Sequence, residues 1–344
     1  MNIVQALFER QIAKFLDELA PRARSVVKRR YGIGGTSAMT LEAIGTKEGI
    51  TRERVRQIEN DAMKRLRKSP SFVTLASYEK EIGDLIESRG GMISENFLLA
   101  LPELKNVKDK NSLILFIDLC DSLAKRKADQ HFHARWHIKP APVAGIESSL
   151  ISFAEDLYRS RKTMSEAEAS EKYESHCKKY NLEGITPLTI QAHFLLSKDI
   201  EKNVWGEYGH VSSPFVRPRG MRESSFVVLA RAHQPLHFRE IAHRIEEFAG
   251  HPVHIQTVHN ELIKDDRFVL VGRGLYALGE WGYEPGFVKD VLVKLLKSNG
   301  PMTRDKIVEE VSHLRQVKPS TVFINLQNKK LFKTLEDGAY TLIS

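Results

Sequence analysis

Residues 40–68, TLEAIGTKEGITRERVRQIENDAMKRLRK, constrain this chain more than any other part of its sequence. They predict two short helices separated by a sharp turn. Thr40 is a suitable N-cap for a first helix over 41–46, and Thr51 is a suitable N-cap for a second helix. Gly49 permits the turn between them. This arrangement is typical of a helix-turn-helix.

The predicted second helix, which ends near Arg67, has one apolar and one polar face. Its apolar residues recur at helical spacing and are expected to pack inward: Val55, Ile58, Ala62 and Leu66. Their expected partners on the first helix and in the turn are Leu41, Ile44 and Ile50.

The polar face of the second helix has side chains that can read DNA bases. The predicted base contacts lie near the N-terminal end of the helix: Arg52, Glu53, Arg56 and Gln57. In the major groove arginine can bond to guanine, glutamine to adenine and glutamate to cytosine. The predicted phosphate contacts are Thr40, Arg54, Lys64, Arg65, Arg67 and Lys68. The alternative is a charged face that is only solvated, and the two capped helices favour base reading.

At these residues the sequence resembles a known family. Residues 19–68, with RSVVKRRYGIGG, TLEAIG and TRERVRQIE, resemble region 4 of the primary bacterial sigma factors, which reads the promoter −35 element. The resemblance implies that the four predicted base contacts occupy the family's base-contacting positions. Asp61 departs from the pattern, because the family often has a basic residue there. Gly34 and Gly35 stand where an acidic residue is common, which is expected to change only a loop.

The resemblance covers about a fifth of the chain. In a sigma factor, the regions that bind the polymerase clamp and melt the −10 element precede region 4. Here about one helix precedes it, and the apolar side of that helix comprises Leu7, Phe8, Ile12, Phe15, Leu16 and Leu19. We therefore expect a protein other than a complete sigma factor.

The positive charge is concentrated in the head segment, residues 1–70. This segment holds 15 of the 52 Lys and Arg residues but only 8 of the 44 Asp and Glu residues. Its net charge is therefore +7, and that of the whole chain is +8. The attraction for a polyanion is therefore expected to lie mainly in the head segment.

Beyond the head segment the sequence repeats a pattern of three helices and a hairpin, which is the winged-helix arrangement. We predict four winged segments, called first to fourth below: 71–139, 146–212, 222–283 and 284–344. The third, with PLHFREIAHRI and TVHNELIKDDRFVLVGRGLYALGEW, resembles the HARE-type helix-turn-helix domain, which also forms the folded part of the RNA polymerase delta subunit. Its candidate DNA contacts are Thr257, His259, Asn260, Lys264 and Arg273. The alternative, a protein-docking fold, is favoured by the near-neutral charge of this part of the chain.

Other classes of function find little support in the sequence. There is no GxxxxGKS loop, GxSxG elbow or cysteine–histidine signature, so we expect no enzyme and no cofactor. The histidines of HFHARWH, residues 131–137, lack the ligand spacing of a zinc site. Cys120 and Cys177 are isolated, and no apolar run is long enough to cross a membrane, so a reducing cytoplasm is the expected setting. The resemblance to sigma factors implies a bacterial, nucleoid-associated protein.

The fold class that follows is mainly α, with an N-terminal helix-turn-helix followed by tandem winged-helix-like units with small β-hairpins. The predicted function is a transcription factor that binds promoter-like double-stranded DNA. The alternative is a protein that associates with RNA polymerase. Region 4 of sigma factors also docks on the flap of the polymerase β subunit, and here the apolar residues for this contact would be Ile12, Phe15, Leu16, Leu19, Val26 and Val27.

Overall fold

The computed structural model describes residues 5–105, 107–283, 286–315 and 317–343. These residues are mainly helical, and their strands form small antiparallel sheets, which confirms the predicted fold class. The chain divides into two compact units, residues 1–212 and residues 213–344. The boundaries of the four winged segments within these units stay a prediction.

The described part of the head segment, from residue 5 onward, contains helices α1 to α4, and the last two form the predicted helix-turn-helix. Their bounds are α1, Gln5–Asp17; α2, Pro21–Tyr31; α3, Leu41–Glu48; and α4, Arg52–Arg67. Helix α3 is two residues longer than predicted. The side chains of Leu7 and Phe8 lie outside the described part of the chain.

The first winged segment has its helices interrupted by short strands. Its elements are α5, Pro70–Val73; α6, Ala76–Glu87; β1, Met92–Ser94; α7, Glu95–Ala100; a 3₁₀ turn, Pro102–Leu104; α8, Lys110–Leu119; β2, Leu123–Arg126; and β3, Arg135–Ile138. The three strands form an antiparallel sheet in the order β1-β3-β2. In the segment HFHARWHIK, residues 131–139, strand β3 is confined to Arg135–Ile138.

The second winged segment is built around three helices and one hairpin. Its elements are α9, Val143–Ser160; α10, Glu166–Lys179; α11, Pro187–Phe194; β4, Ile200–Lys202; and β5, Tyr208–His210. Helix α10 begins with a capping box, in which Ser165 and Glu168 satisfy each other's backbone amides. Strands β4 and β5 pair antiparallel.

The third and fourth winged segments have the same order of three helices and a hairpin. The third comprises α12, Gly220–Ala232; β6, Leu236–His237; α13, Phe238–Ala249; α14, Ile255–Lys264; β7, Phe268–Gly272; β8, Leu275–Leu278; and a 3₁₀ turn, Gly279–Trp281. The fourth comprises α15, Val288–Asn299; α16, Arg304–Leu314; α17, Pro319–Leu326; β9, Phe332–Thr334; and β10, Tyr340–Leu342. Each of the two segments packs its own apolar core.

The head segment and the first winged segment share a single hydrophobic core. Buried side chains of α1 and α2 pack in one cluster with buried side chains of α6, α7 and α8. The ring of Phe72 stands between those of Phe15 and Phe116, with centroids 6.0 Å and 6.1 Å apart. The head segment is thus fixed to the helices that follow it.

Polar contacts reinforce this shared core. The hydroxyl of Tyr31 donates to Oδ2 of Asp118 over 2.5 Å, and burial, with the Asp118 carboxylate, raises the pKa of Tyr31. Asn111 donates from Nδ2 to the carbonyl of Gly32 over 2.8 Å. Buried polar groups are costly unless they are paired, so these bonds define one orientation of α8 against α2.

The residues predicted to dock on the flap are buried, because they lie in cores of the chain itself. None is more than 3% exposed: Ile12, Phe15, Leu16, Leu19, Val26 and Val27. Five of them face the core shared with the first winged segment, and Val26 lies between the helices of the helix-turn-helix. Large apolar side chains of this kind lose stabilising burial when they are exposed to water.

Replacing Phe15 by alanine tests whether the core is shared. We expect Phe15→Ala to lower the free energy of unfolding by about 3–5 kcal/mol, because it removes a fully buried ring. Hydrogen exchange should then be faster in α8 as well as in α2. Val73→Ala, at a side chain that is 74% exposed, is the matched control and should change exchange little. Faster exchange in α2 alone would contradict a shared core.

Candidate nucleic-acid interface

A small apolar cluster sets the angle between α3 and α4. Val26, Ile44 and Val55 are fully buried, one from each of α2, α3 and α4. Partly buried residues surround them: Met39, Leu41, Ile50 and Ile58. The predicted contacts of Val55 and Ile58 are confirmed. Ala62 and Leu66 instead face the larger core with the first winged segment, so the apolar stripe of α4 serves two cores.

Side-chain caps define where both helices begin. Oγ1 of Thr40 accepts a bond from the backbone amide of Ala43, and Oγ1 of Thr51 accepts one from that of Arg54, each over 3.2 Å. Gly49 ends α3 in the left-handed region with a φ of 66°. Threonine caps satisfy amides that a helix leaves unpaired, and glycine adopts this φ without a steric cost. The predicted caps and turn are therefore confirmed.

Gly45, inside α3, has a role that the sequence analysis missed. A Cβ atom built at this position would lie 2.6 Å from the carbonyl oxygen of Ile50. Any other residue would therefore push α3 away from the turn. A glycine in the middle of a short helix is unfavourable by itself. Its presence in the sequence could therefore have indicated that another part of the backbone lies close to it.

Ion pairs from α2 to both helices were also missed. Arg29 pairs with Glu48 at the end of α3 over 3.1 Å, and Arg30 pairs with Glu59 in α4 over 3.2 Å. Arg30 also donates to the carbonyl of Met39 over 3.0 Å. These partly buried pairs tie α3 and α4 to one helix. In the sequence, the basic run at residues 28–30 shows where the two arginines are but does not identify the carboxylates with which they pair.

The structure places the four predicted base contacts on the exposed face of α4, away from Val55. Before any ligand binds, two of them already pair with each other. Arg56 donates from Nε and Nη2 to the Glu53 carboxylate over 2.8 Å and 2.6 Å. This bond lowers the pKa of Glu53 and raises that of Arg56. Gln57 accepts from Arg54 over 3.1 Å, while Arg52 is exposed at the first turn.

The predicted phosphate contacts fall into two groups. Most are exposed, at the start of α3, in the first turn of α4 and towards its end: Thr40, Arg54, Lys64, Arg65 and Lys68. Arg67 differs, because it donates to the carbonyls of Asp118 and Leu119 over 2.8 Å and 3.2 Å. The last carbonyl groups of a helix have no partner within it, and a guanidinium can donate hydrogen bonds to them. Arg67 does this at the end of α8. Arg67 thus connects α4 to the first winged segment.

The candidate contacts of the third winged segment are less uniform. The side chains exposed on α14 and in the hairpin turn are Thr257, Asn260, Lys264 and Arg273. His259 is only half exposed, since its ring stacks on Phe238 with centroids 4.3 Å apart. Lys264 pairs with Glu261 over 3.8 Å, and Asn260 accepts from Gln256. This face is therefore partly neutralised.

The remaining sequence features have structural roles. His131 bonds to Asp199 over 2.7 Å, and no group of three or more metal-ligating side chains occurs in the described residues. Cys120 and Cys177 are buried thiols. Among the described helices, each is too short or too polar to cross a bilayer.

Two capped helices at a fixed angle, with an exposed Arg, Glu and Gln face at the start of the second, define the helix-turn-helix class of DNA-binding domains. Comparison with known families identifies its kind. Residues 15–68 match the family model described as Sigma-70, region 4.

Individual sigma factors match the same part of the chain. The RNA polymerase sigma factor SigA of Nostoc sp. is 46% identical over 66 residues, which are 19% of this chain and 17% of that protein. SigA of Clostridium acetobutylicum is 38% identical over 72 residues, 21% of this chain and 19% of that protein. RpoD of Helicobacter pylori is 43% identical over 72 residues, 21% of this chain and 11% of that protein. The chain thus spans less than a fifth of the length of these relatives.

The cap at Thr51 is open to a direct test. We expect Thr51→Ala to destabilise α4 by about 1 kcal/mol, because the Arg54 amide loses its partner. DNA affinity should fall with it, since Arg52 and Glu53 stand on the same first turn. Thr46→Ala is the matched control, because its hydroxyl only bonds back to the Glu42 carbonyl within α3. Unchanged thermal stability and DNA binding in Thr51→Ala would show that the cap is dispensable.

Proposed function

We propose that this protein binds promoter-like double-stranded DNA in a sequence-specific way and acts in transcription initiation. The base-reading residues are Arg52, Glu53, Arg56 and Gln57, and the target resembles a −35 element. Exposed phosphate contacts at both ends of the helix-turn-helix position the protein on the duplex.

One observation supports base reading more than any other. The polar side chains of α4 are exposed at the N-terminal turns of the helix, while Val55 on its opposite side is fully buried. A helix held in this way can enter the major groove, where its first turns contact base edges. The side chains of Arg56 and Glu53 are 53% and 58% exposed, so their bonds to each other can be exchanged for bonds to bases at little cost.

The charge of the head segment agrees with this proposal. Its net charge of +7 accounts for nearly all of the net charge of +8 of the chain. Phosphate binding by lysine and arginine provides sequence-independent affinity, whereas the base contacts discriminate between sequences. Each good bidentate contact contributes about 1–3 kcal/mol of discrimination.

Selection from a random duplex library at physiological salt tests the proposal. The full chain should enrich a −35-type motif such as TTGACA, and the double variant Arg52→Ala/Arg56→Ala should lose it. The single variant Arg56→Ala should relax the preference at one or two positions of the motif. No enriched motif, or a motif that persists in the double variant, would exclude base reading by α4.

Lys64→Ala is the control that separates phosphate contacts from base contacts. It should weaken binding to all sequences alike, and the slope of log K against log salt should become shallower by about 0.9. A change in the selected motif in this variant would contradict the assigned role of Lys64.

A second candidate function is association with RNA polymerase, which the match to sigma factors favours. The six apolar residues first considered for β-subunit docking are buried. Polymerase contact through the five that face the shared core therefore requires the head segment to separate from α5–α8. Contact through exposed residues of the head segment requires no such change.

Capture of core RNA polymerase by the full chain and by Arg67→Met/Asp118→Ala distinguishes these cases. The double variant removes polar contacts that fix α2 and α4 to α8. Stronger capture by the variant is expected if the buried face docks. In the variant, separation of the head segment from α5–α8 costs less free energy. Equal capture would indicate an exposed surface, and absence of capture in both would reject this second candidate. Arg65→Met, at an exposed position of α4, controls for the loss of one arginine from this helix.

A further inference from the structure

A cavity of about 910 Å³ lies within residues 213–344, beside the hairpin of the third winged segment. Its walls come from β7, from the turn to β8, from residues 286–288 and from the loop that leads into α17. Leu270 and Phe287 present large apolar side chains there, 47% and 74% exposed. The volume falls in the range of small-molecule sites, about 300–1,000 Å³.

A buried arginine lines this cavity. Arg315 is only 4% exposed, and its Nε has no hydrogen-bond partner. Its Nη2 donates to the carbonyl of Leu270 over 2.6 Å, and its Nη1 donates to the carbonyl of Gly286. No carboxylate of the described residues forms an ion pair with it. A buried guanidinium whose hydrogen bonds go only to carbonyls keeps its charge without an ion-pair partner.

The groups around Arg315 add to this positive charge. Arg273 and Lys318 also line the cavity, and none of its described lining residues is acidic. Asp290 lies nearby, but its carboxylate accepts a bond from the backbone amide of Phe287 over 2.9 Å. Burial lowers the pKa of Arg315, and Asp290 opposes this shift. The cavity therefore combines apolar walls with three cationic side chains.

We propose that this cavity binds a small amphipathic anion, a molecule with an apolar body and one carboxylate or phosphate head. The apolar body contacts Leu270 and Phe287, and the head pairs with Arg315 and Lys318. Charged hydrogen bonds to guanidinium are short and strong, and they would neutralise a charge that the fold leaves buried. The concave shape and the apolar walls favour such a molecule over a DNA backbone, which binds polar and exposed surfaces.

Calorimetric titration of the full chain with decanoate and with decanol tests the class of ligand. Both probes have the same apolar body, and only decanoate has a charged head. We expect saturable binding of decanoate and binding of decanol that is weaker by about 10- to 100-fold. Decyl phosphate, as a third probe, distinguishes a carboxylate site from a phosphate site. Equal affinity for decanoate and decanol, or no saturable binding of any probe, would overturn the proposal.

Three variants locate the binding to this cavity. Thr321→Trp places a large ring in the wall and should abolish decanoate binding. Arg315→Met should weaken decanoate by about tenfold or more and leave decanol unchanged. If Arg315→Met does not fold, Lys318→Met provides the same comparison at an exposed cation. Lys329→Met, at an exposed lysine beyond α17, is the matched control. Unchanged decanoate binding in both Thr321→Trp and Lys318→Met would place the ligand elsewhere and reject the site.

Discussion

The packing of α1, α2 and α4 against α6–α8 determines what the head segment can do. Phe15, Phe72 and Phe116 meet in this core, and the Tyr31–Asp118 bond lies beside it. Burial of such rings contributes several kcal/mol in total, so separation of the two segments is costly. The helix-turn-helix is therefore presented on a rigid support, while the apolar surface at its back is covered.

This arrangement gives α4 two functions in one helix. Its N-terminal half packs on the cluster around Ile44 and presents the predicted base-reading face. Its C-terminal half packs, through Leu66, into the core shared with the first winged segment, and Arg67 bonds to the end of α8. Rigid placement of reading residues favours sequence discrimination, because misplaced donors lose bonds to base edges. The covered back, in turn, makes DNA a better-supported partner than the polymerase β subunit.

The sequence predicted the local features of this site because they depend on neighbouring residues. Thr40, Thr51 and Gly49 act within four residues of their own positions, so caps and turn follow from spacing. The assignments that changed depend on distant parts of the chain. Arg67 contacts α8 across some fifty residues, and His259 stacks on a ring from another helix. No periodicity in the sequence identifies such partners.

The sequence by itself determined a mainly helical chain with small hairpins and a positively charged helix-turn-helix, and it predicts repeated three-helix segments. Periodicity, capping and charge are local properties, and they suffice for these conclusions. Only the tertiary structure decided which surface buries Ile12 and Phe15. An apolar helix face predicts burial, but it does not identify the surface that covers it. It also placed Arg315 in an apolar cavity, since the carbonyls that hold it come from residues 29 and 45 positions away in the chain.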